Sequence, residues 1–200
     1  MYATFSRQIH EGFQLMLKAI LCDMDGTLID TEYANATAYS RSLSEFGLYI
    51  DSDEFRRKYN GMSWKAFLPK ILPSITEQQM LAVAERKKVI YRELLHETRL
   101  KQNIVEMVRA LKRDNSIALV TTASRSATES LISYHRIGDL FDVVISGDDV
   151  DQPKPSPIPY LIAAEKLGVE LQECLILEDS EIGIQSARST GATVIVVDSE

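Results

Sequence analysis

The chain has 200 residues, of which 45% are hydrophobic and 26% charged, and it carries a formal net charge of −7. That length suits one domain or a core domain with an insert, and the composition is that of a soluble globular protein. The acidic balance, with a sequence pI near 5.1, argues against a nucleic-acid-binding surface, which needs clustered lysine and arginine.

Residues 1–17 precede the first element and are expected as an N-terminal extension; they lack the unbroken apolar run of a secretory signal. KAILC (18–22) is a short apolar run that ends in Asp-x-Asp-Gly, the pattern of a buried strand followed by a turn. Residues 31–100 then show no clear strand. TEYANATAYSRSLSEFG (31–47) predicts a helix stopped at Gly47, and residues 51–72 predict two short helices around Asn60-Gly61. SITEQQMLAVAERKKVIYRELLHE (74–97) opens on a Ser-x-x-Glu capping box and carries apolar residues at 80, 83, 84, 90, 91, 94 and 95.

From residue 101 the pattern alternates. Apolar runs at 116–121, 141–146, 173–177 and 192–197 predict strands, and 104–114, 126–135, 159–168 and 180–191 predict helices between them. QPKPSPIP (152–159) holds four of the six prolines and predicts a stiff extended loop. Strands alternating with helices of this length imply an α/β fold, a Rossmann-like parallel sheet with helices on both faces. The expected division is a core of 18–30 and 101–200 interrupted by a helical unit at 31–100. No stretch has the length of a membrane helix. Cys22 and Cys174 each adjoin an apolar run, with no metal-site or disulfide spacing, so reduced, buried cysteines in a cytoplasmic protein are expected.

Ligands in a parallel α/β sheet bind at the carboxyl ends of the strands. Here those ends carry Asp23 and Asp25, Thr121 and Thr122, Glu178 and Asp179, with Lys154 on the proline-rich loop. Side chains at i and i+2 of an extended segment point the same way, so Asp23 and Asp25 can share a pocket. Several carboxylates at one edge raise each other's pKa or bind a cation. With no histidine or thiolate set at that edge, a hard, oxygen-liganded ion such as Mg²⁺ fits best. A cation, a lysine and hydroxyl donors suit a phosphate group; one carboxylate can then be a nucleophile and its neighbour a general acid. Alone, Asp25-Gly26 reads equally well as a plain turn.

Taken in order, LCDMDGT, IALVT, the lysine of PKP and LILEDS resemble the haloacid dehalogenase superfamily in its aspartate-nucleophile phosphatase branch. The resemblance spans residues 18–197, and the insert at 31–100 is similar to the helical cap of the branch that includes beta-phosphoglucomutase and small-molecule phosphatases. It implies that Asp23 attacks phosphorus and that Asp25 serves as acid and then base. It implies Mg²⁺ on Asp23, on Asp179 and on the backbone carbonyl of Asp25, with Glu178 close by or bridged by water. Thr121 and Lys154 would hold phosphoryl oxygens, and Lys154 would restrain Asp23.

The implied partner is a small phosphorylated metabolite, a sugar or polyol phosphate, with neither nucleic acid nor membrane involved; monomer and dimer stay open. A phosphosugar mutase and a catalytically silent binding protein are the alternatives. Trp64 stands where beta-phosphoglucomutases place an arginine, and Asn35 where they tend to carry a histidine, which favours water as the phosphoryl acceptor. Around the motifs, Thr122 reads equally as a phosphate contact or a helix cap. Asp30 and Glu32 read as hinge or capping residues, and Asp148 and Asp149 as loop-structuring residues. Lys87 and Lys88 read as a solvated helix face with a substrate-facing lysine as the alternative, and Trp64 as either substrate-facing or buried.

Overall fold

The computed structural model describes residues 17–59, 62 and 64–198. The expected N-terminal extension therefore lies outside the described residues, apart from Leu17, as do Asn60, Gly61 and Ser63.

The first strand, β1 (Ala19–Cys22), is wholly buried. After the turn at 25–28 come β2 (Ile29–Asp30) and four helices: α1 (Glu32–Glu45), α2 (Ser52–Tyr59), α3 (Trp64–Ile71) and α4 (Glu77–Glu93). The chain returns through β3 (Arg99–Leu100) to α5 (Gln102–Leu111), β4 (Ser116–Val120), α6 (Arg125–His135) and β5 (Val143–Ile145). It then runs through α7 (Ile158–Leu167), β6 (Cys174–Glu178), α8 (Glu181–Arg188) and β7 (Thr193–Val196).

Among the described residues, five strands form one all-parallel sheet in the order β5-β4-β1-β6-β7. Chain order reverses direction at β1, so the crevice beyond its carboxyl end is the ligand-binding position of an open α/β sheet. The register puts Cys22 between Leu119 of β4 and Leu177 of β6. One residue further, the backbone N–H of Asp23 donates to the carbonyl of Leu177 at 3.0 Å. Three neighbouring strands thus end level, and their next residues open into the same space.

Alternating residues of β1 face opposite sides, as the pleat requires. Ile20 and Cys22 join Val105, Val108 and Leu131 of α5 and α6 in one apolar cluster. Ala19 and Leu21 join Tyr160, Ala163, Ala164 and Ala187 of α7 and α8 in another. Both faces are therefore covered, the α/β arrangement expected from the strand–helix alternation. Cys22 and Cys174 are buried free thiols, as expected.

The helices between β2 and β3 have a centre of their own. The Phe67 ring lies edge-on to Tyr39 at 4.8 Å and to Phe55 at 5.0 Å, with Leu43, Leu68 and Val83 around them. Helix α4 links the two regions, placing Val83 in this cluster and Ile90 and Tyr91 in the cluster that includes Ile20 and Cys22 of β1.

Three expectations are corrected. The capping box of α4 is formed by Thr76 and Gln79, not by Ser74 and Glu77. Both frames fit the Ser/Thr-x-x-Glu/Gln pattern, but only the observed one brings Ile75 and Met80 onto the same apolar cluster as a hydrophobic staple. Segment 99–100, read as strandless, pairs antiparallel with 29–30, so the chain leaves and re-enters the sheet through adjacent segments. Two-residue strands carry no periodicity to read. The proline-rich loop is a turn, with the N–H of Ser156 donating to the carbonyl of Pro153 at 3.0 Å, rather than an extended rod.

Phe67 fills the middle of the helical cluster, so Phe67→Ala should destabilise by about 3–5 kcal/mol through lost burial and a residual cavity. Urea unfolding followed by circular dichroism measures it. A loss under about 1 kcal/mol would show that the helical cluster does not share in the cooperative stability of the fold.

Candidate active site

The site grows from β1. Asp23 is 7% exposed and Lys154 6%, an arrangement an isolated charge could not sustain. The Lys154 ammonium donates to Asp23 Oδ1 at 2.6 Å, to Glu178 Oε1 at 2.5 Å and to the carbonyl of Val120 at 2.8 Å. One cation therefore ties the ends of β4, β1 and β6 together. Its three hydrogens are all engaged.

Glu178 has no exposed surface. Its Oε1 also accepts from the Tyr160 hydroxyl at 2.6 Å, and Oε2 accepts from the N–H of Asp179 at 3.2 Å and from Ser180 Oγ at 3.3 Å. Two donors on each oxygen satisfy the carboxylate. It lies so close to α8 that a Cβ on Gly183 would come within 2.1 Å of both its oxygens. Asp179 follows, its Oδ1 accepting from Thr27 Oγ1 at 2.8 Å. Its Oδ2 sits against Gly26, where an added Cβ would fall 2.1 Å away and where φ is +88°. Glycine is required there on both counts.

Asp25 faces a different set of partners. Its Oδ1 accepts from Thr31 Oγ1 at 2.7 Å, and its Oδ2 takes a longer 3.4 Å contact from Thr121 Oγ1. Thr121 is buried and also accepts the N–H of Ala123 at 3.0 Å. Oxygens of Asp23, Glu178 and Asp179 lie within 4.8 Å of one another, and the carboxylate of Asp25 is outside that group.

Residues 20–197 match the family described as haloacid dehalogenase-like hydrolase. The chain belongs to that family. It is 27% identical to the fructose-1-phosphate phosphatase YqaB of Escherichia coli, over 89% of this chain and 95% of that protein. It is 32% identical to a phosphorylated carbohydrates phosphatase of Thermotoga maritima, over 88% of this chain and 82% of that one. Among solved structures, CbbY from Rhodobacter sphaeroides in complex with phosphate superposes with a TM-score of 0.80 at 28% identity, covering 92% of this chain and 87% of that one.

In this haloacid dehalogenase-like hydrolase the structure brings together Asp23, Asp25, Thr121, Lys154, Glu178 and Asp179. It does not bring in Thr122: that side chain is exposed and, among the described residues, makes no hydrogen bond to the others. Asp148 and Asp149 structure their loop as expected. Asp148 accepts the N–H of Arg125 at 2.9 Å, while Asp149 accepts from Ser146 Oγ at 2.6 Å and pairs with the Arg125 guanidinium. Asp30 caps its own turn through the N–H of Glu32 at 3.2 Å. Trp64 is half-buried against the helical cluster. Lys88 pairs with Glu85 at 2.6 Å on the solvated face.

Lys87 departs from that face. Its ammonium lies 4.9 Å from the Tyr39 ring centroid and 4.3 Å from that of Tyr91. Desolvation pushes it down to about 8, opposed by Asp25 and aided by Lys88. Thr31, Tyr160 and Gly183 were not singled out in the sequence. Thr31 and Tyr160 carry no local signal of their role. Gly183 does: a glycine inside a short helix weakens it, and such a residue marks a close approach.

Burial holds the carboxyl of Asp23 well above the ordinary carboxylate range, with Lys154 opposing and Glu178 and Asp25 adding to the rise. Burial works against the Lys154 ammonium too, but Asp23 and Glu178 outweigh it and raise its pKa. Asp179 is raised by burial and by Glu178, against the Thr27 hydrogen bond. A carboxyl raised in the folded state penalises folding once it ionises. The penalty is absent below the ordinary value, grows between that value and the folded one, and is complete above the folded one. Asp179→Asn keeps an acceptor for Thr27 and removes the penalty. In chelator its melting temperature should exceed that of the parent at pH 7, and the gain should disappear as pH falls below the ordinary carboxylate value. An equal or lower melting temperature at pH 7 would contradict the electrostatic reading.

Proposed function

We propose that the chain hydrolyses small phosphomonoesters, sugar or polyol phosphates foremost, through an aspartyl phosphate on Asp23. The observation that carries the reading is the buried Lys154 ammonium, which fixes one oxygen of Asp23 at the carboxyl end of β1. In this reading Asp23 attacks phosphorus and the bond to the leaving oxygen breaks. Asp25 gives that oxygen its proton, then takes a proton from water as the water attacks phosphorus and Asp23 departs. The long contact from Thr121 leaves Oδ2 of Asp25 able to turn to the leaving oxygen. Thr121 meets a phosphoryl oxygen; Lys154 does so only by sharing a hydrogen it already gives.

The donor set fits Mg²⁺. Carboxylate oxygens of Asp23 and Asp179 lie in one cluster that, among the described residues, holds no histidine or cysteine. Those two residues and the backbone carbonyl of Asp25 would hold the ion. Glu178, satisfied by four donors, we assign to the lysine rather than to the metal. When bound, the cation supplies positive charge against the phosphoryl oxygens.

Residues 31–100 we read as a cap over the core of 18–30 and 101–200. Through Thr31, Lys87 and Tyr91 it reaches the surroundings of Asp25. A cation backed by two aromatic faces suits a hydroxyl-rich substrate. Two relatives named as phosphatases, one of fructose 1-phosphate and one of phosphorylated carbohydrates, support the same substrate class.

Phosphate release from a panel of sugar and polyol phosphates with Mg²⁺ tests the reading. Activity should vanish in EDTA, and Asp23→Asn should lower kcat by at least about a thousandfold, roughly 4 kcal/mol of barrier. Activity retained within about tenfold would remove Asp23 from the chemistry. Conversion of beta-glucose 1-phosphate to glucose 6-phosphate with little free phosphate would point to a mutase instead.

A further inference from the structure

Resting on the reading of Asp23 as nucleophile, we infer that Tyr160 is a positioning residue: its hydroxyl anchors Glu178 so that Glu178 holds Lys154 on Asp23 and stays off the cation site. Tyr160 is wholly buried, on the first turn of α7, among Leu21, Val120, Ile145 and Ile176. It makes two separate contacts with the lysine pair. Its ring lies under the Lys154 ammonium, 5.0 Å from centroid to Nζ. Its hydroxyl donates to Glu178 Oε1 at 2.6 Å, the same oxygen that receives Lys154 at 2.5 Å.

That shared oxygen matters because Glu178 has two possible positions in the field of this site. One of its oxygens lies within 4.8 Å of one oxygen of Asp23 and one of Asp179, so a cation there would attract it. Four donors keep it where it is, and two are weak: the contacts to Oε2 from Asp179 N and Ser180 Oγ are 3.2 and 3.3 Å. The two short bonds, from Tyr160 and Lys154, fall on Oε1. Lys154 is itself drawn to Asp23, so among the described residues the tyrosine is the short-range partner of Glu178 that has no second acceptor. Burial, and next the charge of Glu178, keep the phenol neutral and therefore a donor. A core tyrosine present only for packing would need the ring and some acceptor; it would not need the carboxylate that counterbalances the nucleophile's lysine.

Tyr160→Phe separates the two roles, because it keeps the ring under Lys154 and removes only the hydroxyl. Two measurements on the full chain are needed: Mg²⁺ binding by calorimetry without substrate, and steady-state kinetics on the best phosphomonoester. Freed on one side, Glu178 should turn to the cation, and Mg²⁺ should bind about threefold or more tighter. Lys154 should then hold Asp23 less well, and kcat should fall about tenfold with KM within about twofold. Unchanged Mg²⁺ affinity and kcat would overturn the inference, as would a variant that unfolds, which would assign the hydroxyl to stability. The calorimetry stands whether or not the parent protein releases phosphate, so failure of the proposed function and failure of the Tyr160 assignment are read separately.

Discussion

A single ammonium, Nζ of Lys154, sits between the buried carboxylates of Asp23 and Glu178 and under the carbonyl of Val120. The rest of the site follows from that constraint. Two carboxylates this close in a desolvated crevice repel each other, and removing one partner of a buried ion pair typically costs about 3–5 kcal/mol. The lysine relieves the repulsion at the place where β4, β1 and β6 end side by side. It arrives there on a turn between β5 and α7, held from below by the ring of Tyr160. The electrostatic cost of the site and the packing of the sheet are therefore settled by the same side chain.

Two glycines show how closely the backbone is drawn around this pair. At Gly183 and Gly26 a single methyl group would meet the carboxylates of Glu178 and Asp179 respectively. The acidic pair at the end of β6 is consequently divided. Glu178 turns inward to the lysine and the tyrosine, while Asp179 turns outward to Thr27 and the crevice. Adjacent residues of a strand face opposite ways, and here that alternation separates a structural counter-ion from a candidate cation ligand.

Much of this was legible in the sequence. The parallel sheet could be read because five apolar runs, each near the length of a buried strand, alternate with helical patterns. Asp23, Asp25, Thr121, Lys154, Glu178 and Asp179 could be read because each stands at the end of such a run or on the loop beside it. Other features rest on partners far away in the chain. The β2–β3 pair joins segments 29–30 and 99–100, and Thr31 meets Asp25 only once the turn at 25–28 has formed. Tyr160 looked like one more apolar residue of α7, since nothing local distinguishes a tyrosine that supports a lysine from one that fills a core. The frame of the α4 capping box was ambiguous for a different reason: two overlapping matches existed, and the side-chain contacts of Ile75 and Met80 chose between them.

The central claim is that Asp23, held by Lys154, is the atom source of a covalent phosphoenzyme. Acid quenching during turnover of a phosphomonoester, followed by borohydride reduction, converts an aspartyl phosphate to homoserine, which peptide mass spectrometry locates. The account predicts homoserine at position 23, dependent on substrate and absent at position 25. Reduction at position 25, or none at either position while phosphate is being released, would contradict it.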